Sequence, residues 1–250
     1  MKRRALLEET RDGVRTLTLD RPAVRNAFNA VLYRELAAAL DDAAADDTVG
    51  AVVITGAPGA FSAGQDLAEM SAPPVEPGGE YPFGHCLDRV VAFDKPLLAA
   101  VNGVGVGLGL TLLLHCDAVF IARGARLRVP FVPLGVVPEA ASSYLLPLRV
   151  GHQRAARILL TAEWVDSREA VEMGLALRET EPEELLPASH ELAARIAAQP
   201  PGAVRHTLRL LKEPWREAIR AARAREDEAF RQHVGTPENQ QAIRAFFAKR

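Results

Sequence analysis

The sequence has few cysteines, no long apolar run and almost no net charge, and each absence excludes a class of protein. Only two of its 250 residues are cysteines, Cys86 and Cys116, too few for a disulfide framework, so a reducing compartment is expected. No run approaches the roughly 18 apolar residues of a membrane span, and no apolar stretch of a secretory signal follows Met1. A formal net charge of −2 indicates no polyanionic partner. We therefore expect a cytoplasmic protein that binds neither membrane nor nucleic acid.

Three familiar site motifs are also missing. The turn after Val101 has several glycines, but the dinucleotide fingerprint needs one at position 108, which is leucine, and no phosphate loop is present. Ser62 does not lie in the Gly-x-Ser-x-Gly of a serine hydrolase. The adjacent pairs His85-Cys86 and His115-Cys116 lack the spacing of metal ligands. These absences argue against nucleotide-loop, serine-hydrolase and metal chemistry.

Hydrophobic residues make up 48% of the chain and charged residues 25%, the usual balance of a globular protein. A half-solvated strand is predicted at 14–20, and further strands at 50–56, 96–101, 118–122 and 126–131. Helical patterns alternate with these strands, beginning with a helix capped by Asn29. After Pro138 the pattern is helical throughout, with separate helices predicted at 204–212 and 214–233. The sequence therefore predicts an α/β fold whose last third is helical.

Two glycine-bearing turns each follow an apolar run and precede a predicted helix. They are Phe61-Ser62-Ala63-Gly64-Gln65-Asp66-Leu67 and Val101-Asn102-Gly103-Val104-Gly105-Val106-Gly107-Leu108-Gly109. Such turns leave backbone N–H groups unpaired at a helix start. If the two turns converge, they form a hole for a negatively charged oxygen. Because their side chains are mostly small or apolar, we expect the backbone to carry the chemistry there.

One acid, Glu139, stands in the otherwise uncharged stretch from Leu134 to Tyr144. Two interpretations stay open. Pro138 suits a first helical turn, where an acidic residue would interact favourably with the helix dipole. In the other interpretation Glu139 is a general base in an apolar pocket, where desolvation raises its pKa and makes it a better base.

Further segments stand in order with the two turns. They are Asp20-Arg21-Pro22 with Arg25 to Asn29, Cys116-Asp117, Leu134-Gly135, Tyr144 to Pro147, Gly174-Leu175 and the ending Phe246 to Arg250. Together with the turns they resemble the crotonase superfamily, the enoyl-CoA hydratase/isomerase proteins, along almost the whole chain. The resemblance implies a crotonase-like spiral of strand–strand–helix turns that forms an acyl-CoA-binding core over residues 1–195. It also implies a helical C-terminal trimerisation subdomain over residues 196–250.

The resemblance implies that the thioester carbonyl of an acyl-CoA lies between the backbone N–H groups of Gln65 and Leu108, which stabilise an enolate. The family commonly has glycine at the position of Leu108, so this side chain must point away from the thioester or narrow the pocket. No metal and no cofactor are expected, since coenzyme A is part of the substrate. The residues implied to contact the substrate or its coenzyme A are Arg25, Ala27, Ala63, Gly64, Asp66, Leu67, Gly107, Phe131 and Lys249.

The same resemblance bears on the reaction. Family hydratases use two glutamates, and the matching positions here are Thr111 and Phe131, neither of which can act as a carboxylate base. Family isomerases place a single acid at the position of Glu139, and the run from Pro138 to Tyr144 is most similar to the peroxisomal type of 3,2-enoyl-CoA isomerase. The implied reaction is the shift of a double bond from the 3,4 to the 2,3 position, with Glu139 as the base.

Alternatives stay open beside this hypothesis: an enoyl-CoA hydratase or another crotonase-type conversion, and a CoA-binding module without catalysis. Asp66 is expected to cap the helix that it starts or to interact with its dipole, and Asp117 to satisfy backbone groups, while Glu69 could face the pocket mouth. An apolar acyl pocket is expected near Phe131, Leu134 and Tyr144, with the proline-rich segment 71–80 at its entrance. The resemblance further implies a homotrimer or a hexamer.

Overall fold

A computed structural model describes residues 5–70 and 82–248 of the chain and arranges them as two β-sheets with surrounding helices. The strands are β1 (Leu6–Arg11), β2 (Val14–Leu19), β3 (Ala51–Gly56), β4 (Leu97–Val101), β5 (Gly105–Val106), β6 (Ala118–Ala122), β7 (Arg126–Arg128), β8 (Val165–Asp166) and β9 (Arg178–Thr180). The α-helices are α1 (Ala30–Ala45), α2 (Leu67–Met70), α3 (Phe83–Ala92), α4 (Leu108–Thr111), α5 (Ser142–Val150), α6 (His152–Thr161), α7 (Ser167–Glu172), α8 (Leu185–Ala197), α9 (Pro201–His233) and α10 (Pro237–Ala248). Short 3₁₀ helices lie at Pro22–Val24, Leu112–His115, Val132–Leu134 and Pro182–Glu184. The predicted α/β class is confirmed.

The larger sheet has the strand order β1-β2-β3-β4-β6-β9 and is parallel except for the antiparallel pair β1–β2. Every residue of β3 and β4 is buried, because α8 packs against these strands and parallel sheets are covered on both faces. Helix α1 packs against α3 and also contacts β1 and β2. This central sheet fixes the ends of β3 and β4, from which the two glycine turns leave.

The smaller sheet, β5-β7-β8, and the strands β1 and β9 of the larger sheet differ from the sequence prediction. The expected strand at 126–131 stops at Arg128, because Pro130 has no N–H to donate and a 3₁₀ helix follows. Strands β8 and β9 interrupt the region after Pro138 that was predicted to be helical throughout. Strand β1 was not predicted, since only its first residue is buried and the remainder is solvent-exposed, which leaves no alternating pattern to read.

Helix α9 corrects the predicted break at Pro214. The structure has one helix across this proline in place of the two helices that the sequence suggested. Pro214 is exposed, so water can satisfy the backbone carbonyl that loses its helical partner there. The division at residue 195 stays a prediction. Within residues 5–70 and 82–248, no helix combines the length and the apolar character that crossing a membrane requires.

Candidate active site

The two glycine turns lie side by side and are joined through their backbones. The N–H groups of Phe61 and Ser62 donate to the carbonyl of Val104 at 3.0 and 3.1 Å, and Val106 N–H donates to the carbonyl of Ser62 at 2.9 Å. Ser62 and Gly105 also form a parallel bridge. The convergence predicted from the sequence is therefore present, and main-chain hydrogen bonds produce it.

Glycine is required where the turns touch. Gly64 has a φ of +79°, and a Cβ on it would lie 2.4 Å from the carbonyl oxygen of Val106 and 3.4 Å from the backbone nitrogen of Leu108. A Cβ on Gly109 would lie 2.5 Å from the carbonyl oxygen of Ser62. The turns therefore approach each other too closely for any side chain, which places Gln65, next to Gly64, beside the start of α4.

The predicted oxyanion donors flank this contact. Leu108 is buried and is the first residue of α4, where the backbone N–H has no carbonyl one turn earlier in the helix. Gln65 is held by Phe28, whose N–H donates to Gly64 O at 2.7 Å and whose carbonyl accepts from Asp66 N–H at 2.8 Å. The catalytic role of both N–H groups stays a prediction.

Glu139 lies before helix α5, not in it. The helix begins at Ser142 and has no acidic residue in its first turn, so the interpretation of Glu139 as a helix-starting acid is wrong. The carboxylate of Glu139 instead accepts a hydrogen bond of 2.8 Å from the hydroxyl of Thr111 on α4. The structure thus brings the predicted base to the same helix that begins with Leu108.

The surroundings of Glu139 favour its protonated form. Burial raises its pKa to about 7 from an ordinary value of 4.5, and the negative charges of Glu226 and Asp227 act in the same direction. The hydroxyl of Thr111 opposes them, because a hydrogen bond to the charged form lowers the pKa. A carboxyl group with a pKa near 7 can accept and return a proton at neutral pH. This is the property that the second interpretation of Glu139 predicts.

The remaining residues implied to contact the substrate lie at the first turn, at the second turn and after β7. Arg25 is exposed, with a φ of +52°, and its carbonyl accepts from Ala63 N–H at 2.8 Å. The carbonyl of Ala27 and the carboxylate of Asp66 both accept from the guanidinium of Arg21, at 2.6 and 3.0 Å. Helix α2 begins at Leu67, Gly107 has a φ of +54° and donates to Arg128 O at 2.8 Å, and Phe131 is buried. Lys249, like the segment 71–80, lies outside the described residues.

A small apolar cavity of about 10 Å³, room for about one water molecule, adjoins the turns and lies between α1, α3 and α4. The sequence left open whether the side chain of Leu108 points away from the thioester or narrows the pocket. In the structure this side chain lines the cavity, while the backbone N–H of Leu108 lies at the turn. Phe131, Leu134 and Tyr144, the residues expected around an acyl chain, are not among its lining residues. The residues that line it are Phe28, Tyr33, Leu36, Phe83, Cys86, Leu87, Val90, Leu108 and Leu112.

Other candidate groups have structural partners. The buried hydroxyl of Ser62 donates to Asn26 O at 2.8 Å and accepts from Gly64 N–H at 3.1 Å, as expected for a serine packed in a turn. Glu69 accepts from Ala30 N–H at the start of α1, at 2.8 Å, so its carboxylate is engaged there. Asp117 accepts from Leu97 N–H at 2.9 Å, which confirms that it satisfies a backbone group.

The two cysteines are buried, and burial raises the pKa of each thiol to about 12. Such thiols are poor nucleophiles and poor metal ligands at neutral pH. In the described part of the chain, no three His, Cys, Asp or Glu side chains are grouped so that they could hold a metal ion. Neither thiol is therefore a candidate for the chemistry of the site, which stays predicted for the backbone amides and Glu139.

Two supporting side chains were missed from the sequence. Glu226, on α9, accepts hydrogen bonds from the backbone directly after Glu139, and His115 contacts the carbonyl of Ala140. Glu226 is 5% exposed, in a helix that is otherwise rich in exposed charge. An acid placed at helical spacing among Ile219, Ala222 and other inward residues of α9 was the available signal.

Known proteins resemble the chain over nearly its full length. Residues 9–250 match the family described as enoyl-CoA hydratase/isomerase. The 2,3-dehydroadipyl-CoA hydratase of Escherichia coli K12 is 34% identical over 246 residues, covering 98% of this chain and 96% of that protein. The 1,2-epoxyphenylacetyl-CoA isomerase of the same organism is 34% identical over 201 residues, 78% and 77% of the two chains. The solved enoyl-CoA hydratase/isomerase of Pseudoalteromonas atlantica T6c superposes with a TM-score of 0.95 at 37% identity, covering 98% of each chain.

Proposed function

The chain belongs to the enoyl-CoA hydratase/isomerase family, the crotonase superfamily, and from this membership we propose that it isomerises a 3-enoyl-CoA to a 2-enoyl-CoA. The observation that carries the proposal is the environment of Glu139. It is a desolvated carboxyl group with a pKa of about 7, and its hydrogen-bond partner is a hydroxyl group, not a second acid. One such group suffices for a reaction that removes and returns the same proton.

In the proposed reaction, Glu139 takes a proton from C2 of the substrate. The electron pair of the C2–H bond forms a dienolate, with the negative charge on the thioester oxygen. The backbone N–H groups of Gln65 and Leu108 donate to that oxygen, and each such donor contributes roughly 3–4 kcal/mol to the barrier reduction. Protonated Glu139 then returns the proton to C4 on the same face, leaving the double bond between C2 and C3. The enzyme ends the cycle in its starting protonation state.

The side chains beside Glu139 disfavour hydration. Addition of water requires one group to hold and activate the water and a second to deliver a proton. Thr111 is fully buried and its hydroxyl is engaged with Glu139, while Phe131 is a buried apolar side chain. Neither can supply the second acid–base group.

We also propose roles for the surrounding residues and for the assembly. Phe131, Leu134 and Tyr144 line the acyl pocket in this proposal, while Arg25, Ala27 and the backbone of residues 63–67 contact the coenzyme A portion. The protein acts in the cytoplasm without a cofactor, as a homotrimer or hexamer built through the helices after residue 195. Lys249 contacts a CoA phosphate in this arrangement.

The test compares Glu139→Gln with wild type on a 3-enoyl-CoA. We expect isomerisation to fall at least 100-fold, because general acid–base catalysis is worth about 10²–10⁴-fold, while acyl-CoA binding persists. Glu228→Gln, which removes an exposed carboxylate on α9, is the matched control and should retain wild-type turnover. Near-normal turnover of the Glu139 variant would show that another group is the base.

Hydration is the second candidate, because one of the most similar relatives is a hydratase by name. Crotonyl-CoA and a 3-enoyl-CoA assayed side by side separate the two reactions. Fast hydration of crotonyl-CoA would overturn our interpretation of Thr111 and Phe131.

A further inference from the structure

The backbone directly after Glu139 has an unfavourable conformation for its residues. Ala140 and Ala141 have φ values of +59° and +58°, in the left-handed region that a Cβ atom disfavours. Two consecutive alanines therefore depend on the surrounding structure to hold them in this conformation, and outliers of this kind cluster at functional sites.

Side chains hold both polar ends of the peptide group that joins these alanines. On one side, His115 Nε2 lies 2.9 Å from the carbonyl oxygen of Ala140. Burial lowers the pKa of His115 to about 4, so the imidazole is neutral at pH 7 and its Nε2–H donates to that carbonyl. On the other side, the N–H of Ala141 donates to Glu226 Oε2 at 2.6 Å.

Glu226 also replaces the N-cap that helix α5 lacks. Ala141, at the cap position, has no side chain that could accept a hydrogen bond. Glu226 accepts from Ser143 N–H at 2.8 Å with its second carboxylate oxygen, so it binds two N–H groups at the start of α5 from a helix 85 residues away. A carboxylate at a helix N-terminus is favourable, which makes this contact a defined anchor.

The segment from Leu108 to His115 contacts both Glu139 and the residue that follows it. Thr111 and His115 are one helical turn apart on the stretch from Leu108 to His115, so one element provides three contacts. The backbone nitrogen of Leu108 lies beside Gly64, the Thr111 hydroxyl donates to the Glu139 carboxylate, and the His115 ring donates to the carbonyl of Ala140. Glu139 is thus set between this segment and α9.

We propose that Glu226 and His115 are positioning residues, which clamp the Ala140–Ala141 peptide and so fix the Glu139 carboxylate relative to the two glycine turns. The proposal rests on the function proposed above, with Glu139 as the base. Neither residue transfers a proton to the substrate. Removing either should reduce the rate of proton transfer while leaving substrate affinity largely unchanged.

The first test is Glu226→Gln, assayed on a 3-enoyl-CoA beside Glu228→Gln from the exposed face of α9. An amide has one acceptor oxygen, so one of the two backbone contacts is lost. We expect kcat to fall about 10- to 100-fold, because a misplacement of about 1 Å has an effect of this size, with KM changed less than about threefold. A crystal structure of the variant should show the Thr111–Glu139 hydrogen bond lengthened from 2.8 Å.

The pH profile separates positioning from general destabilisation. The charged groups that act on Glu139 are Glu226 and Asp227, and the hydroxyl of Thr111 is hydrogen-bonded to it. The charged groups that act on His115 are Arg223, Lys212 and Arg149. Replacing the Glu226 carboxylate with an amide removes one negative charge beside Glu139, so the acidic limb of kcat/KM should move to lower pH. A variant that merely contained less folded protein would show a lower rate at every pH without this shift.

His115 supplies a matched pair. Glutamine can place an N–H donor close to the position of Nε2, whereas leucine cannot, so His115→Gln should keep kcat within about threefold of wild type and His115→Leu should lose about 10-fold or more. The double variant His115→Leu/Glu226→Gln should lose less than the product of the two single losses, because both act on one peptide.

The outcomes distinguish the two proposals. If wild type turns over a 3-enoyl-CoA and Glu139→Gln does not, yet folded Glu226→Gln and His115→Leu have wild-type kcat and pH profiles, the clamp is wrong and the base stands. If wild type shows no isomerisation, the proposed function itself fails. Equal losses in His115→Gln and His115→Leu would also overturn the clamp, since the hydrogen bond would then be irrelevant.

Discussion

The two halves of the candidate site are held in opposite ways. The glycine turns are joined by main-chain hydrogen bonds between Phe61–Ser62 and Val104–Val106, and no side chain fits between them. The segment around Glu139 is held by side chains from other elements: Thr111, His115 and Glu226. The turns should therefore be sensitive to any added Cβ atom, whereas the segment around Glu139 should be sensitive to the loss of single polar atoms.

Among variants that keep Glu139, the largest effect is expected at the turns, from Gly64→Ala. The new Cβ would lie 2.4 Å from Val106 O at a φ of +79°, so the turns must separate and the donors on either side must move apart. We expect kcat/KM to fall about 10²–10³-fold, the effect of losing one oxyanion donor, measured on a 3-enoyl-CoA.

The control for this prediction is Gly202→Ala, near the start of α9, where a Cβ meets nothing within 4 Å. This variant should keep wild-type activity and gain up to about 1 kcal/mol in the free energy of unfolding, because alanine loses less backbone freedom on folding. Wild-type activity of Gly64→Ala would contradict the backbone account of the oxyanion site.

The same contrast explains what the sequence could predict. The turns were located from their residues alone because the signal is local: an apolar strand, then glycines, then a helix. The family resemblance, carried by these turns, is confirmed over residues 9–250. Strands β8 and β9 were missed because strands of two and three residues are too short to show a periodic pattern.

The support of Glu139 could not be predicted for the opposite reason. Glu226 lies 85 residues after Ala141 in the chain, and only tertiary packing reveals which helix N-terminus it binds. The sequence showed only that Thr111 stands where family hydratases have a glutamate. The structure shows in addition that its hydroxyl donates a hydrogen bond to Glu139. Position in a motif showed which group Thr111 is not, but only the fold shows what it contacts.

A second prediction concerns stability, and it uses the burial of Glu139. Its folded pKa of about 7 lies above the ordinary 4.5, so the native state binds an additional proton between these values. Wild type therefore loses stability as the pH rises through this window, and the ionised, buried carboxylate is destabilising above pH 7. Glutamine does not titrate, so Glu139→Gln should gain about 2–3 kcal/mol relative to wild type between pH 4.5 and pH 8.

Denaturant unfolding at the two pH values measures this difference, with Glu228→Gln to account for the removal of a carboxylate as such. A constant difference between Glu139→Gln and wild type would mean that Glu139 is as well solvated in the folded state as in the unfolded chain. The glycine turns contain no comparable buried acid. A charge that destabilises the fold but is needed for the proposed reaction is therefore expected only in the segment around Glu139.

The smallest effect, and the sharpest comparison, is expected from Thr111→Val beside Thr111→Ser. Valine keeps the shape of the fully buried threonine but removes the donor, so the pKa of Glu139 should rise further and the acidic limb of kcat/KM should move to higher pH. At pH 7 we expect about a tenfold loss for valine, the effect of one hydrogen bond to a charged group, and less than about threefold for serine. This shift is opposite in sign to the one expected for Glu226→Gln, although both variants lower the rate. A common loss of folded protein cannot give two slow variants whose pH profiles shift in opposite directions. Shifts in the same direction would contradict the roles of Thr111 as hydrogen-bond donor to Glu139 and of Glu226 as its neighbouring negative charge.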